Sequence, residues 1–344
     1  MIDNDRFIGC VLAGAVGDAL GAPIEFLSIE KIREQGGPAT GYDGAITDDT
    51  QMTLFTLEGL IRGHRGEHAD LFGPMQHAYQ RWLHTQGLEP VWANNGGVFA
   101  TRPEPDGWLI TNRGLFAARA PGVTVTGALR AFARGGRRGA FDNRLNNSKG
   151  CGGVMRAAPC ALLGEDAFAF AVGTALLTHG HPSGFLSAGA LAHLVYLLLQ
   201  DATLPEALAA TRAKLLTWDD HEEQVGVLDA AVELAASGST PETIAERLGG
   251  GWTGDEALAI GVCAALAGED MREALLLAVS HSGDSDSTGA ICGNILGAIE
   301  GTSAIPDEWL ASLELRDVIE QITRDALTEF GDEPPDWGDR YPFW

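Results

Sequence analysis

Apolar residues recur at the spacing of an α-helix along most of this chain, and this periodicity constrains the fold more than any other feature. Runs that alternate apolar and polar residues with β-branched enrichment are few, so we expect strands to be scarce. The sequence shows no fixed-period repeat, and no linker is clear enough to divide the chain into domains. The pattern predicts one all-α domain over residues 1–344. The predicted helices cover residues 3–20, 50–62, 69–84, 124–134, 153–163, 166–178, 184–200, 204–215, 219–236, 241–247, 255–267, 270–281, 287–300 and 313–329.

The charge balance excludes several classes of partner. Lys and Arg number 23 against 47 Asp and Glu, so the formal net charge is −24. Because phosphate contacts come from Lys and Arg, we expect no nucleic acid and no anionic membrane as partner. The five cysteines show no metal-type spacing, which is typical of reduced thiols in a cytoplasmic protein. The longest strongly apolar stretch, near residues 192–199, is shorter than a membrane span requires.

Two regions lack helical periodicity. Residues 88–122 are dense in Pro, Gly and Asn, which predicts an irregular insert. Residues 331–344 form a Pro-rich tail whose Trp, Tyr and Phe favour docking on the body of the protein.

The segment "VSHSGDSDSTGAICGNILGAIEG", residues 279–301, places two carboxylates before an apolar helix. Gly289, Gly293 and Gly297 repeat every fourth residue, so they lie on one helix face and predict close helix–helix contact. One Asp before a helix is an ordinary N-cap, but Asp284 and Asp286 together exceed what capping requires. With the neighbouring hydroxyls they are oxygen ligands of the kind that Mg²⁺, Ca²⁺ and Mn²⁺ prefer.

A second acidic cluster has the same form. Thr47, Asp48 and Asp49 precede another apolar helix. A cap with acids favoured by the helix dipole would explain this cluster alone. Two such clusters in one chain favour a pair of metal ions a few ångströms apart, which would polarise a substrate oxygen and activate a water.

The segment "GAVGDALGAPIEF", residues 14–26, adds two more acids. Asp18 lies in the first apolar helix, where it is either a satisfied core group or part of a site. Glu25 follows the helix end and could act as a general acid or base.

Two further segments could contact a ligand. Gly150, Gly152 and Gly153 precede the predicted helix at 154, so they form either a plain turn or an anion-binding loop at a helix N-terminus. No base is evident that would activate Cys151 as a nucleophile. His179 and His181 precede Pro182, and the absence of a further His or Cys cluster favours ligand contact or capping over zinc.

Taken together, five segments closely resemble motifs of the ADP-ribosylglycohydrolase family, which includes the ADP-ribosylarginine hydrolases and the dinitrogenase reductase-activating glycohydrolase. In chain order they are "GAVGDALGAPIEF", "TDDTQMTL", "NSKGCGGVMRAAP", "THGHPSG" and "SGDSDSTGAICGNILGA". The resemblance spans most of residues 9–301, and the third and fifth segments look most like the arginine-specific branch. It implies a single-domain orthogonal multi-helix bundle.

The resemblance also implies a site. Two divalent cations, Mg²⁺ or Mn²⁺, would be held by Thr47, Asp48, Asp49, Asp284, Asp286 and Ser287. The residues matching catalytic positions are Glu25, Asp48, Asp49 and Asp286. Those matching positions that bind ADP-ribose are Gly122, Asn147, Ser148, Gly150, Cys151, Gly152, Gly153 and His179.

The implied reaction is removal of ADP-ribose from an ADP-ribosylated protein, with free ADP-ribose as product. Cleavage at the ribose anomeric carbon passes through an oxocarbenium-like state. We expect an arginine linkage first. The alternatives are a serine or other O-linked ADP-ribose, a small ADP-ribose conjugate, or a non-catalytic immunity protein that binds an ADP-ribosyltransferase toxin.

Overall fold

A computed structural model describes residues 2–66, 70–87 and 105–342. In these ranges the chain forms fifteen α-helices and short 3₁₀ turns, with two isolated β-bridges and no strand. The prediction of an all-α domain is therefore confirmed. Of the predicted insert at 88–122, residues 88–104 lie outside the described residues. The helices are α1 (Asn4–Gly21), α2 (Ile29–Glu34), α3 (Asp48–Arg65), α4 (Phe72–Thr85), α5 (Val123–Ala133), α6 (Ala167–Leu176), α7 (Pro182–Leu199), α8 (Leu204–Leu215), α9 (Glu222–Ser237), α10 (Pro241–Leu248), α11 (Gly254–Ala267), α12 (Met271–Val279), α13 (Ser285–Glu300), α14 (Asp307–Ser312) and α15 (Arg316–Glu329).

Helices α1 and α13 pack along their glycine faces at the centre of the protein. A Cβ atom added at Gly293 would lie 2.0 Å from the Ala13 carbonyl oxygen. One added at Gly17 would lie 2.0 Å from the Gly289 carbonyl oxygen, and one at Gly297 would lie 2.1 Å from that of Gly9. Only glycine allows two helix backbones to approach this closely. The predicted close helix–helix contact is confirmed, with α1 as the partner.

The remaining helices surround this pair. Helix α3 packs against α4 and α15, while α6, α7 and α11 cover other faces of the bundle. Residues Pro182–Leu199 and the segment Ala158–Leu176 are long and apolar enough to cross a membrane by length and composition, although the sequence suggested a shorter apolar stretch. The protein buries 83% of the first segment and 67% of the second, which is typical of core helices.

Three differences from the predicted helices have local causes. The predicted helix at 153–163 is wrong, because the chain there forms 3₁₀ turns at Cys151–Gly153 and Ala158–Asp166. Glycines flank this stretch, and Gly164 has a positive φ of 62° that no regular helix contains. Helices α2 and α14 have six residues each, too few to produce a periodic signal.

The described part of the tail contacts α3 and α15. Tyr341 is buried, and its hydroxyl donates to Asp325 Oδ2 over 2.7 Å. The Arg65 guanidinium donates to the Tyr341 carbonyl oxygen, and the Trp337 indole N–H donates to Glu329.

Candidate active site

A cavity of about 410 Å³ brings together residues from seven separate parts of the chain. Both acidic clusters reach it, although about 235 positions separate them in sequence. Eleven of the predicted site residues line it: Glu25, Asp48, Asp49, Gly122, Gly150, Cys151, Gly152, His179, Asp284, Asp286 and Ser287.

The start of α3 supplies the first carboxylate pair. Thr47 is the N-cap residue, and its hydroxyl oxygen accepts from the Asp49 N–H at 3.2 Å. Asp48 Oδ2 accepts from the Gly122 N–H at 3.4 Å. Asp49 Oδ2 is buried and has no hydrogen-bond partner among the residues that the structure describes. An unpaired buried carboxylate oxygen is costly unless a cation or donor compensates it, so this atom points to a ligand.

Asp18 of α1 fixes this helix start in place. Its carboxylate accepts from the Thr47 N–H at 3.0 Å, from the Thr50 N–H at 3.1 Å and from the Thr50 hydroxyl. Asp18 is fully buried, and because these donors satisfy its carboxylate it is a satisfied core group. Because α1 also packs on α13, Asp18 connects the glycine contact to the position of Asp48 and Asp49.

The start of α13 supplies the second pair. Asp284 is the N-cap residue, and its N–H donates to the Gly250 carbonyl oxygen at 2.8 Å. Asp286 lies in the first turn and accepts from the Ser287 N–H at 3.0 Å. One oxygen each of Glu25, Asp284 and Asp286 lies within 4.8 Å of the others, which is a spacing that a single ion could bridge.

Burial and mutual repulsion disfavour the charged forms of these acids. Burial, followed by the charge of Asp286, raises the pKa of Asp48, Asp49 and Asp284 well above the usual range for aspartate. The same two causes raise the pKa of Glu25 to about 8. Divalent cations among the carboxylates would reverse the unfavourable charge, so the donor set fits hard metal ions.

The glycine segment forms one wall. The amide of Gly150 donates to the Ser148 hydroxyl at 3.2 Å, and that of Cys151 donates to the Trp252 carbonyl oxygen at 3.3 Å. These two amides thus already donate hydrogen bonds within the protein. Because a 3₁₀ turn follows the loop, the expectation that it opens an α-helix is wrong.

An α-helix N-terminus does reach the cavity, from α5. Gly122 is its N-cap residue and offers no side chain, so the first-turn amides of α5 have no side-chain cap. Val123, Thr124 and Val125 line the cavity beside it. Uncapped amides at a helix start bind anions well, so this position suits a phosphate group.

Cys151 and His179 line the same wall as uncharged groups. The Cys151 thiol donates to Asp284 Oδ2 at 2.8 Å, and burial together with Asp284 raises its pKa well above the ordinary value. A thiol that stays protonated is a hydrogen-bond donor and a poor nucleophile. Burial and Arg156 lower the pKa of His179 to about 3, so its imidazole is neutral. His181 instead caps α7 by accepting from the Ser183 N–H.

Four predicted site residues do not line the cavity. The Thr47 hydroxyl caps the α3 start, and the Ser148 hydroxyl accepts from the Gly150 N–H. Gly153 faces the packed backbone of Gly184. Asn147 is exposed, while its neighbour Asn146 braces the loop by accepting from the amides of Ser148 and Gly180.

The segment "RAPGVTVTGALRA", which resembles the phosphate-contacting turn of the ADP-ribosylglycohydrolase family, contains the lining residues Val123–Val125. Sequence reasoning missed Met155, and it missed Phe26 and Trp252, which are exposed at the rim. Glycines flank Trp252 in "GGGWTG", but an aromatic residue in a glycine-rich loop carries no signal of its own.

The fold and the cavity define a class: an all-α protein with an acidic, oxygen-lined site suited to divalent cations and an adjacent helix start suited to phosphate. The chain belongs to the ADP-ribosylglycohydrolase family, whose model matches residues 2–335. The family indicates an enzyme that hydrolyses ADP-ribose linkages and generally depends on metal.

Individual relatives agree with this assignment. The chain is 26% identical to the ADP-ribosyl-[dinitrogen reductase] glycohydrolase of Rhodospirillum rubrum, over 94% of this chain and 96% of that protein. It is 24% identical to the ADP-ribosylarginine hydrolase Tri1 of Pseudomonas putida, over 94% of this chain and 78% of that protein. A solved structure described as an ADP-ribosylglycohydrolase-related protein complex matches with a TM-score of 0.66 and 26% identity, covering 95% of this chain and 99% of that chain.

Proposed function

We propose that this protein removes ADP-ribose from an arginine side chain of a modified protein, with two divalent cations held between its two aspartate pairs. The observation that carries the proposal is the convergence of Asp48 and Asp49 with Asp284 and Asp286 in one buried cavity. Such a concentration of carboxylates is unfavourable in the absence of compensating charge. The names of two relatives, which mention an arginine hydrolase and a dinitrogen reductase glycohydrolase, support the arginine linkage.

The chain offers a set of oxygen donors for Mg²⁺ or Mn²⁺. We assign Thr47, Asp48, Asp49, Asp284, Asp286 and Ser287 to this role. The unpaired Asp49 Oδ2 and the grouping of Glu25 with Asp284 and Asp286 support the assignment. Bound divalent cations polarise substrate oxygens and lower the pKa of a water molecule.

The opposite wall suits the ADP-ribose group. The amides at the α5 start, next to Gly122, have no side-chain cap from the described residues and would donate to the pyrophosphate. Gly150 and Gly152 let the His179 ring lie against this loop, since a Cβ atom at either position would lie within about 3.2 Å of the ring. The neutral imidazole of His179 can accept or donate one hydrogen bond to a ribose hydroxyl without adding charge.

The carboxylates carry out proton transfer. The bond between the ribose anomeric carbon and the guanidine nitrogen breaks, and a water oxygen bonds to that carbon. Asp48, Asp49 or Glu25 takes the proton that the water loses, and the guanidine departs with a proton. Glu25 is placed for this exchange, because one of its oxygens lies within 4.8 Å of oxygens of Asp284 and Asp286.

The test is release of free ADP-ribose from arginine-modified and from serine-modified protein, each with Mg²⁺ and with chelator. We expect release from the arginine substrate only in the presence of the metal. Equal release in chelator would contradict the metal mechanism, and release from the serine substrate alone would contradict the arginine linkage.

A matched pair of variants tests the carboxylates. Asp286→Ala is expected to abolish release while the protein stays folded by circular dichroism. Asp142→Ala removes a surface carboxylate that pairs with Arg137, and it should retain wild-type activity. Full activity of Asp286→Ala would remove the second pair from the mechanism.

A further inference from the structure

Two large aromatic side chains stand exposed at the rim of the cavity. Phe26 is 70% exposed and Trp252 is 44% exposed. Their rings stack with centroids 5.2 Å apart and an interplanar angle of 21°. Both residues line the cavity that holds the carboxylates. Aromatic rings exposed beside a functional cavity indicate a surface that another molecule covers.

The backbone holds this pair in place. Phe26 has a φ of +68°, a left-handed conformation that is unfavourable for a bulky side chain. Its N–H donates to the Gly283 carbonyl oxygen at 3.3 Å, which ties it to the residue before Asp284. The Trp252 carbonyl oxygen accepts from the Cys151 N–H. The fold thus fixes both residues from the cavity side while leaving their rings open to solvent.

The surroundings of the pair are strongly negative. Glu25 directly precedes Phe26, and its carboxylate lies close to those of Asp284 and Asp286. Among the described residues that line the cavity, none is Lys or Arg. A planar cation is attracted both to aromatic faces and to nearby carboxylates, and the guanidinium group is the protein group with this chemistry.

We propose that the Phe26–Trp252 pair receives the guanidinium group of the modified arginine, as the specificity surface for the leaving group. This inference rests on the proposed function. The pair stacks on the planar cation while Glu25 lies beside it, so the surface distinguishes an arginine linkage from a serine linkage, which has no cation to stack. The adenine ring of ADP-ribose is the competing occupant, and the experiment separates the two.

The experiment compares Phe26→Ala, Phe26→Leu and Trp252→Ala with wild type. Two quantities are measured: the KM for ADP-ribosylarginine, and the inhibition constant of free ADP-ribose, which lacks the guanidine. We expect each variant to raise the KM about 3- to 20-fold, because cation–π contacts of partly exposed groups are worth that much. The inhibition constant of ADP-ribose should stay within about twofold of wild type.

Phe141→Ala is the matched control. Phe141 is 54% exposed and stacks on Trp218 with centroids 6.1 Å apart, but it lies outside this cavity. This variant should leave both constants unchanged. Circular dichroism of every variant establishes that the fold is intact.

Three outcomes would overturn the inference. Unchanged KM values in all rim variants would show that the pair does not contact the substrate. An equal rise of the KM and of the ADP-ribose inhibition constant would assign the pair to the base instead. A Phe26→Leu variant with wild-type KM would show that bulk rather than the aromatic face matters. Wild-type protein that fails to cleave ADP-ribosylarginine would instead contradict the proposed function.

Discussion

Replacing Gly293 with alanine would place a methyl carbon 2.0 Å from the Ala13 carbonyl oxygen and 2.4 Å from its carbonyl carbon. Ordinary van der Waals contact begins at about 3.4 Å, so α1 and α13 must separate or bend by more than 1 Å. Overpacking of this kind costs about 1–3 kcal/mol of unfolding free energy. The gain in helix propensity from Gly to Ala, about 0.5–1 kcal/mol, offsets only part of it.

The same displacement should reach the active site. Helix α13 carries Asp284 and Asp286, whereas α1 holds the other aspartate pair through Asp18. A separation of about 1 Å between two halves of a catalytic site lowers kcat/KM by roughly 100-fold.

Urea unfolding and a kinetic assay on Gly293→Ala check both effects, with Gly226→Ala as control. Gly226 also lies inside a helix, but an added Cβ there meets nothing within 4 Å. The control should be as stable as wild type or slightly more stable, with unchanged kcat/KM. If Gly293→Ala matches the control in stability and activity, the glycine contact does not set the geometry of the site.

Three further predictions concern the buried polar groups. Asp18→Asn should weaken Mg²⁺ or Mn²⁺ binding at least tenfold by calorimetry, because one of the two carboxylate oxygens that accept from Thr47 and Thr50 is lost. Thr50→Val removes one of these hydrogen bonds and should weaken metal binding less. Equal metal affinity of the wild type and both variants would contradict the positioning role of Asp18. In chelator, the unfolding free energy should fall as the pH rises from about 4 to 7. Burial and the charge of Asp286 raise the folded-state pKa of Asp18 from 3.8 to about 7, so the folded protein holds this proton more tightly than the unfolded chain does. The pKa shift of Asp18 alone corresponds to roughly 4 kcal/mol of unfolding free energy. Saturating Mg²⁺ should largely abolish this decline in urea titrations, and a chelated protein more stable at pH 7.5 than at pH 5 would contradict it. Cys151→Ala should retain activity within about tenfold and the wild-type thiol should resist alkylation at pH 8, since its pKa is raised; complete loss of activity with retained metal binding would restore a catalytic role for the sulfur.

The sequence predicted the all-α fold and the meeting of the two acidic clusters for physical reasons. The apolar residues of a helix recur on the face that is buried, so their spacing in the sequence directly indicates a helix. The glycines at every fourth position of α13 predicted close packing. Capping would explain the aspartate pair of α3 alone, but two such pairs in one chain indicated a shared metal site.

Other parts of the site left no signal that a single sequence could reveal. The three hydrogen bonds of Asp18 connect residues 29 to 32 positions apart, so they depend on tertiary placement. The segment after Gly153 has apolar spacing that suits a helix, but glycines on both sides allow tighter 3₁₀ turns. We propose the phosphate site at the α5 start and not at Gly150, because the Gly150 amide already donates to Ser148.

Metal binding to the two aspartate pairs is the central claim, and calorimetric titration with Mn²⁺ tests it most directly. We predict two Mn²⁺ per wild-type chain, loss of at least one in Asp49→Asn and in Asp286→Asn, and unchanged binding in the surface variant Asp142→Asn. Binding by both site variants with wild-type stoichiometry and affinity would contradict the account.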